Sequence, residues 1–440
     1  MALSLPPWSD FMMWTIIISA MLLFAFSIWV IFFRSALQSI MQSPKLRNYQ
    51  SKRNEQDNNR KEEELRSHDE GTHRLPMVSV VLPARDEQDN IQKCLESLVG
   101  QDYQNYEIIA VNDCSTDATG EILYKLAASN NSQREITIIN LEHKPSGWVG
   151  KNWACFQGYK RSSGQILLFT DADTIHAPDT ISLAVRHMVD EKLDALTARP
   201  RITSNNTWTK IVLPLVWMVS HIAYSALKVN NPRSKTGFVF GGFYLIRREV
   251  YESIGTHQSV KGEITEDLAI GEKLKLGKYR LRMFLGEENI QASWALDCES
   301  LHSAVQRTVV SAFRKQPILT CAYAALQAVM LILPWVVLPY SAYWLLLSSY
   351  ELEMLYTNGM LISILLILNL LVLGMIFTSS FALSRLNLCQ GPFFTLYVLA
   401  SPLACFFIFG ETILSIIKAA TNNGIMSWKG RTYQPSREEV

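Results

Sequence analysis

The chain has 440 residues, of which 48% are hydrophobic and 18% charged. That apolar content excludes disorder along the whole chain, and a charged share below the roughly 25% usual in soluble domains points to membrane segments. Lys plus Arg number 41 against 40 Asp plus Glu, a net charge of +1 that excludes a basic nucleic-acid coat protein, so no nucleic-acid partner is expected.

The length fits two or three domains. From Phe11 to Phe33 the chain reads FMMWTIIISAMLLFAFSIWVIFF without a charge, long enough to span a bilayer as a helix. No basic flank precedes it and no small-residue cleavage site follows, so residues 1–34 are expected to be a transmembrane anchor rather than a signal peptide. Residues 35–75 carry charges of both signs and few large apolar side chains, and read as a solvated helix or linker. Arg34, Lys45, Arg47, Lys52 and Arg53 place this side of the cell membrane in the cytoplasm.

Residues 76–315 read as a cytosolic globular domain. Apolar, β-branched runs at Met77–Pro83, Tyr106–Val111, Ile136–Leu141 and Gln165–Thr170 predict strands. Helical spacing at Ile91–Leu98, Thr119–Ala128 and Ala154–Arg161 predicts helices between them. That alternation predicts an α/β domain with a mostly parallel sheet flanked by helices. Ligands of such sheets sit at the C-terminal strand edge, so Ala84–Glu87, Asp113–Asp117 and Asp171–Asp173 share one acidic rim. Ile211–Leu227 is apolar but holds Pro214 and His221, and reads as an interfacial or buried core helix.

Residues 316–420 are apolar again, in stretches at Ile318–Leu347, Met360–Phe377 and Phe393–Ile417, and predict a C-terminal transmembrane helical region. Pro334 and Pro339 interrupt the first stretch, as a tight hairpin or re-entrant element would. Three simple crossings would leave the polar tail, 421–440, outside, whereas Lys429, Arg431 and Arg437 favour the inside. The seven cysteines, Cys94, Cys114, Cys155, Cys298, Cys321, Cys389 and Cys405, form no CxxC pair, so reduced thiols and no structural zinc are expected.

Four motifs carry chemistry. Asp171-Ala172-Asp173 follows a buried strand, where two carboxylates at i and i+2 can hold a hard divalent cation against a diphosphate. Its alternative is a pair of loop-capping residues. Glu266 and Asp267 in TEDLAIGEKLKLG open a helix; Thr265 would cap it and the acids would suit its positive end, or one acid would serve as general base. Gly237–Phe243 (GFVFGGF) allows close approach to a ligand or is a turn before a strand. Lys151, in GWVGKNW, would reach a phosphate or be a solvated loop lysine. No P-loop, GxGxxG, GxSxG or HExxH sequence is present.

Taken in order, VSVVLPARDEQDNIQKCLESL, AVNDCSTDATGEI, LLFTDADT, GFVFGGFYLIRREVYESIG and ITEDLAIGEKLKLG resemble the family 2 glycosyltransferases with a GT-A fold. The resemblance covers about Met77 to Leu285. GWVGKNWACFQGY and SWKGRTY are similar to the membrane members associated with hopanoid and carotenoid glycosylation. The resemblance implies that Pro83, Ala84, Asp86 or Glu87 and Asp113 line the base and ribose of a UDP-sugar or GDP-sugar donor. It implies that Asp171 and Asp173 serve the ribose, diphosphate and a divalent cation (Mn2+ or Mg2+), with Asp173 the direct ligand. Asp267 would be the catalytic base with Glu266 beside it, and Lys151, Gly241 and Gly242 would border the transferred sugar or its acceptor. Processive members carry QxxRW after the acidic pair; here only Gln306-Arg307 stands in that region, with no tryptophan.

The expected reaction is a metal-assisted single displacement with inversion onto a hydroxyl of a lipid-type acceptor (polyprenyl, isoprenoid or glycolipid). A polysaccharide synthase of the same family is the alternative, and a non-catalytic nucleotide-binding membrane scaffold a third. A transporter is disfavoured by the few spans and by the lack of an intramembrane charge pair.

Overall fold

The structure is a computed structural model that describes residues 8–48, 76–129, 135–204, 206–295, 297–348, 352–387, 394–421 and 426–433. The chain divides into two compact units. One comprises residues 1–38, 204–223 and 295–424; the other comprises 39–203, 224–294 and 425–440.

The second unit is the α/β domain. Its strands are β1 (Val78–Ala84), β2 (Tyr106–Asp113), β3 (Ile136–Leu141), β4 (Ile166–Phe169), β5 (Thr174–His176), β6 (Ala195–Arg199), β7 (Arg201–Thr203), β8 (Tyr244–Arg247), β9 (Leu281–Leu285), β10 (Ile290–Ser293), β11 (Met426–Trp428) and β12 (Arg431–Tyr433). Seven form the main sheet in the order β3-β2-β1-β4-β8-β6-β9, and β5-β10-β7 form a smaller one. In the main sheet only β8 runs antiparallel to its neighbours β4 and β6. The mostly parallel α/β sheet expected from the sequence is therefore present.

Both faces of this sheet are covered, which is why its strands are almost wholly apolar. Val78, Val80 and Leu82 of β1 join the core beneath helices Ile91–Val99 and Thr180–Asp190. Val81, Leu167 and Phe169 face the opposite core, with Cys155 of helix Gly150–Arg161 and Ile270 of helix Glu266–Leu276. Pro83 is tolerated in a central strand because the β1–β4 ladder ends at Val81 paired with Phe169, so its missing N–H falls beyond that ladder.

The first unit gathers the apolar helices. Among the described residues five helices are long and apolar enough to cross a membrane: Met12–Gln42, Thr207–Val229, Pro317–Leu346, Gly359–Leu386 and Ser401–Thr421. The chain is thus a membrane protein. Helix Trp8–Gln42 continues past Arg34, where the sequence placed the start of the linker; residues 49–75 of that linker lie outside the described residues.

Several boundaries differ from the sequence-based ones. Residues 204–223 and 295–315, expected inside the soluble domain, group with the membrane helices because their apolar faces pack there. The tail, expected to be a separate polar segment, returns to the α/β unit as the β11–β12 hairpin. The expected break at Pro334 and Pro339 is absent: helix Pro317–Gln327 passes through a π-helical turn at Ala328–Ile332 into helix Leu333–Ser348. Within this unit Glu411 of the last span lies 2.6 Å from His302, and Gln306 bridges His302 (2.7 Å) and Lys418 (3.0 Å). A His302–Glu411 contact at a candidate membrane helix therefore exists, which the linear sequence concealed because its members are far apart in the chain. The six described cysteines are free thiols; Cys389 lies outside the described residues.

Candidate active site

The acidic rim forms where β1, β2 and β4 end side by side. The loop after β1 is stitched to the loop after β2. Asp86 accepts hydrogen bonds from the Thr116 backbone (2.7 Å) and hydroxyl (3.2 Å), the Glu87 backbone donates to the Thr119 hydroxyl (2.7 Å), and Gln88 donates to Asp117 (3.0 Å). Asp86 and Cys114 both hold φ near +50°, a conformation costly for residues with side chains and most often seen at functional loops. Of the residues expected to line a nucleoside, Ala84 is buried in the core and offers only its backbone, while Pro83 and Glu87 are half-buried. Asp86 serves the loop rather than the open rim. Asp113 is buried at the end of β2.

Lys151 was expected in a loop; it stands in the first turn of a helix that begins at Gly150. That helix start is clamped to the segment preceding the acidic pair. The Val149 backbone donates to Lys261 (2.7 Å), and the Asn152 amide donates to Val260 (2.8 Å) and Glu263 (2.9 Å). The clamp carries Lys151 to Glu266, 2.6 Å away, and to Asp171, 2.7 Å away. Burial works against the ammonium, but the charges of Asp171 and Glu266 outweigh it and hold its pKa well above the usual lysine value. Lys151 is therefore a fixed cation tying the first aspartate of DxD to the first residue of the acidic pair.

Gly241 faces this cluster. A Cβ there would lie 2.8 Å from the Lys151 Nζ and 3.3 Å from Asp171 Oδ2, so the bare backbone leaves room for the ion pair. Gly242 backs the same turn, its carbonyl accepting from Thr170 (2.8 Å). The aromatics of this loop are structural: Phe243 is fully buried, Phe238 stacks on Tyr224, and Phe240 lies under the Arg199 guanidinium at 5.0 Å.

Thr265 precedes the next helix, but its side chain caps nothing. The capping account of the acidic pair therefore fails for Thr265, and Glu266 is committed to Lys151. Asp267 accepts one local hydrogen bond from the Leu268 backbone (2.8 Å). Burial and the adjacent Glu266 raise its pKa to about 7, against Lys151, which lowers it. Its carboxylate is thus poised to take a proton near neutral pH.

Burial and the charges of Asp171 and Glu87 raise the pKa of Asp173 to about 8. A divalent cation would relieve this repulsion, and the donor set is oxygen only, as Mg2+ or Mn2+ prefers. Asp171 already pairs with Lys151, which leaves Asp173 the better direct ligand. Among the described residues no three His, Cys, Asp or Glu side chains are grouped to hold a metal. The site therefore fits a cation that completes its shell with diphosphate oxygens and water.

Two residues at the rim were not found as site residues from the sequence. Arg431 of β12 binds Asp113, and Lys429 pairs with Glu87. The linear signal was present in SWKGRTY: a Lys-Gly pair between strand-forming residues is a two-residue hairpin turn.

Residues 79–255 match the family model described as Glycosyl transferase family 2. The chain is 28% identical over 233 residues to a poly-beta-1,6-N-acetyl-D-glucosamine synthase of Staphylococcus aureus, covering 52% of each chain. It is 26% identical over 215 residues to the synthase of the same name from Staphylococcus epidermidis, covering 47% of each. The chain thus spans about half the length of these curated relatives. Among solved structures it is similar to the mannosyltransferase PcManGT from Pyrobaculum calidifontis in complex with GDP-Man and Mn2+, at 18% identity and TM-score 0.49, covering 92% of this chain and 99% of that one. It is also similar to Staphylococcus aureus TarS 1-349 in complex with UDP-GlcNAc, at 15% identity and TM-score 0.38, covering 83% and 98%. These two relatives are synthases by name, and neither bears on the hopanoid and carotenoid subgroup.

Proposed function

We propose that the chain is a membrane-bound, inverting glycosyltransferase that moves a sugar from a UDP- or GDP-sugar to an acceptor hydroxyl at the cytoplasmic face of the cell membrane. The observation that carries this is the Asp171–Lys151–Glu266 cluster with Asp267 beside it, assembled at the strand edge of a family 2 domain.

In this reading Pro83, the Ala84 backbone, Glu87 and Asp113 border the nucleoside. Asp173, with Asp171 next to it, would hold the divalent cation, which when bound supplies charge neutralisation to the diphosphate leaving group. Lys151 fixes the DxD loop against the acidic pair and keeps a positive charge beside the leaving group. Asp267 accepts the proton of the acceptor hydroxyl as that oxygen attacks the anomeric carbon from the face opposite the diphosphate. The Gly241-Gly242 turn borders the transferred sugar or its acceptor.

The acceptor is read as a lipid hydroxyl, because five apolar helices and no QxxRW sequence suit transfer to a membrane-held molecule better than chain extension. A second reading, synthesis of a polysaccharide, is favoured by the relatives' names.

A donor screen on detergent-purified protein tests the proposal: nucleoside-diphosphate release from a panel of nucleotide sugars, with and without Mn2+ or Mg2+, and with total lipid extract. Metal-dependent release that grows with lipid and yields a single-sugar product supports the lipid reading. A long polymer selects the second. Asp267→Asn should lose about 10²–10⁴-fold in transfer with donor binding intact; full activity in that variant would remove Asp267 as the base.

A further inference from the structure

The last described residues of the chain lie on the rim read above as the nucleoside site. β11 and β12 pair antiparallel with Trp428 opposite Arg431, joined by Lys429 and Gly430. Both turn residues have positive φ, 44° and 70°, as a type I′ hairpin requires. Asparagine or glycine suits the first of these positions; a lysine held there accepts backbone strain.

The hairpin engages the rim through charge. Arg431 forms a two-pronged contact with the Asp113 carboxylate, Nη1 to Oδ2 at 2.5 Å and Nη2 to Oδ1 at 3.1 Å. The Lys429 ammonium pairs with Glu87 and donates to the Arg85 carbonyl at 2.7 Å. Arg85 returns the contact, donating to the Lys429 carbonyl at 3.1 Å, and braces the Asp113 and Cys114 carbonyls at 2.7 Å each. Side-chain exposure is 4% for Asp113 and 15% for Arg431, so this is a largely buried bidentate pair rather than a surface contact. The two cations therefore lie against the two carboxylates read above as bordering the nucleoside.

A nucleoside that hydrogen-bonds to Asp113 needs the carboxylate that Arg431 holds. A diphosphate brings negative charge to the same place, and Arg and Lys bind phosphate oxygens by the same geometry as carboxylates. We propose that the C-terminal hairpin is a working part of the donor site, in which Lys429 and Arg431 are stored on Glu87 and Asp113 and pass to the diphosphate of the incoming nucleotide sugar. This rests on the transferase reading and extends it to residues more than 300 positions away from the loops they meet. Pair exchange makes binding selective for diphosphates: the ligand that frees the carboxylates must itself satisfy the cations.

The test is calorimetric binding to the full-length protein in detergent, with Mn2+, of uridine, guanosine and their diphosphates. The variants are Lys429→Gln, Arg431→Gln, the double variant and Arg431→Lys, each accompanied by a melting curve. The double variant is expected to bind the preferred diphosphate at least tenfold more weakly while binding the matching nucleoside as well as wild type or better, since its carboxylates are released. Arg431→Lys should recover part of the diphosphate affinity and so separate charge from folding. Equal weakening of nucleoside and diphosphate would overturn the proposal in favour of a supporting role for the hairpin. Tighter binding of both would overturn it in favour of a plug. Failure of the underlying reading looks different: wild-type protein would then bind neither diphosphate, or Asp113→Asn would leave nucleoside binding unchanged.

Discussion

At the scale of single residues, the site is organised by one lysine. Lys151 sits 2.7 Å from Asp171 and 2.6 Å from Glu266, with 20% of its side chain exposed. Each of these carboxylates is thereby partnered, whereas Asp267 and Asp173 remain with pKa values raised to about 7 and about 8. Pairing two carboxylates with Lys151 while Asp267 stays outside the pair separates the candidate proton acceptor from the ion-pairing groups. A base with a pKa of about 7 is protonated below that value and accepts a proton only above it. Activity, measured as kcat/KM for the donor, is therefore expected to rise about tenfold per pH unit below 7 and to level off above it. A profile flat from pH 5 to 8 would remove Asp267 from the base role. The candidate identities were legible in DAD and TED; the lysine's part was not, because an isolated lysine in a glycine-flanked stretch has no signature until its partners are in place.

At the scale of elements, the glycine-rich loop 237–243 and the acidic-pair helix are packed backbone to backbone. A Cβ at Gly237 would fall 1.9 Å from the Gly271 carbonyl oxygen, and one at Gly271 would fall 2.4 Å from the Phe238 nitrogen. Glycine at both positions lets loop 237–243 lie directly on helix Glu266–Leu276, which brings Gly241 against Glu266 and Lys151. Gly237→Ala is expected to destabilise the α/β unit by about 1–3 kcal/mol through overpacking, read as a lowered melting midpoint. A midpoint equal to wild type would show that the loop and helix separate freely. The strands and helices of the first half were legible because each is a short apolar run between polar turns. The start of helix Gly150–Arg161 was not: Gly150 and Lys151 carry no capping side chain, and the clamp that fixes them comes from residues 260–263, over a hundred positions later.

At the scale of the molecule, chain connectivity limits the membrane topology. Residues 207–223 leave the α/β unit after β7 and return before β8, and β8 is hydrogen-bonded to β6. A single membrane pass there would place neighbouring strands of one sheet on opposite faces of the bilayer. A single crossing by this helix is therefore incompatible with the sheet, despite a composition long and apolar enough to cross. The same reasoning applies beyond β10. The β11–β12 hairpin rejoins the α/β unit through Arg85 and Asp113, so an α/β unit held on one face of a bilayer requires an even number of crossings between residues 295 and 424. On that condition at most two of the three C-terminal candidate spans cross. An epitope appended after Val440 is expected on the same face as one inserted in the α/β unit, by protease protection in sealed vesicles; opposite faces would break the assignment.

Composition, apolar runs and motif order by themselves determined that this is a membrane protein with a mostly parallel α/β domain and an acidic rim, because those features depend on residues near one another in the chain. Tertiary structure alone decided which carboxylates are paired, that the membrane helices claim segments lying inside the soluble stretch, and that a basic turn from the far end of the chain closes on the first loop. Ion pairs and close backbone contacts act across space at a few ångströms, and no periodicity along the chain records which distant partner a charge will meet.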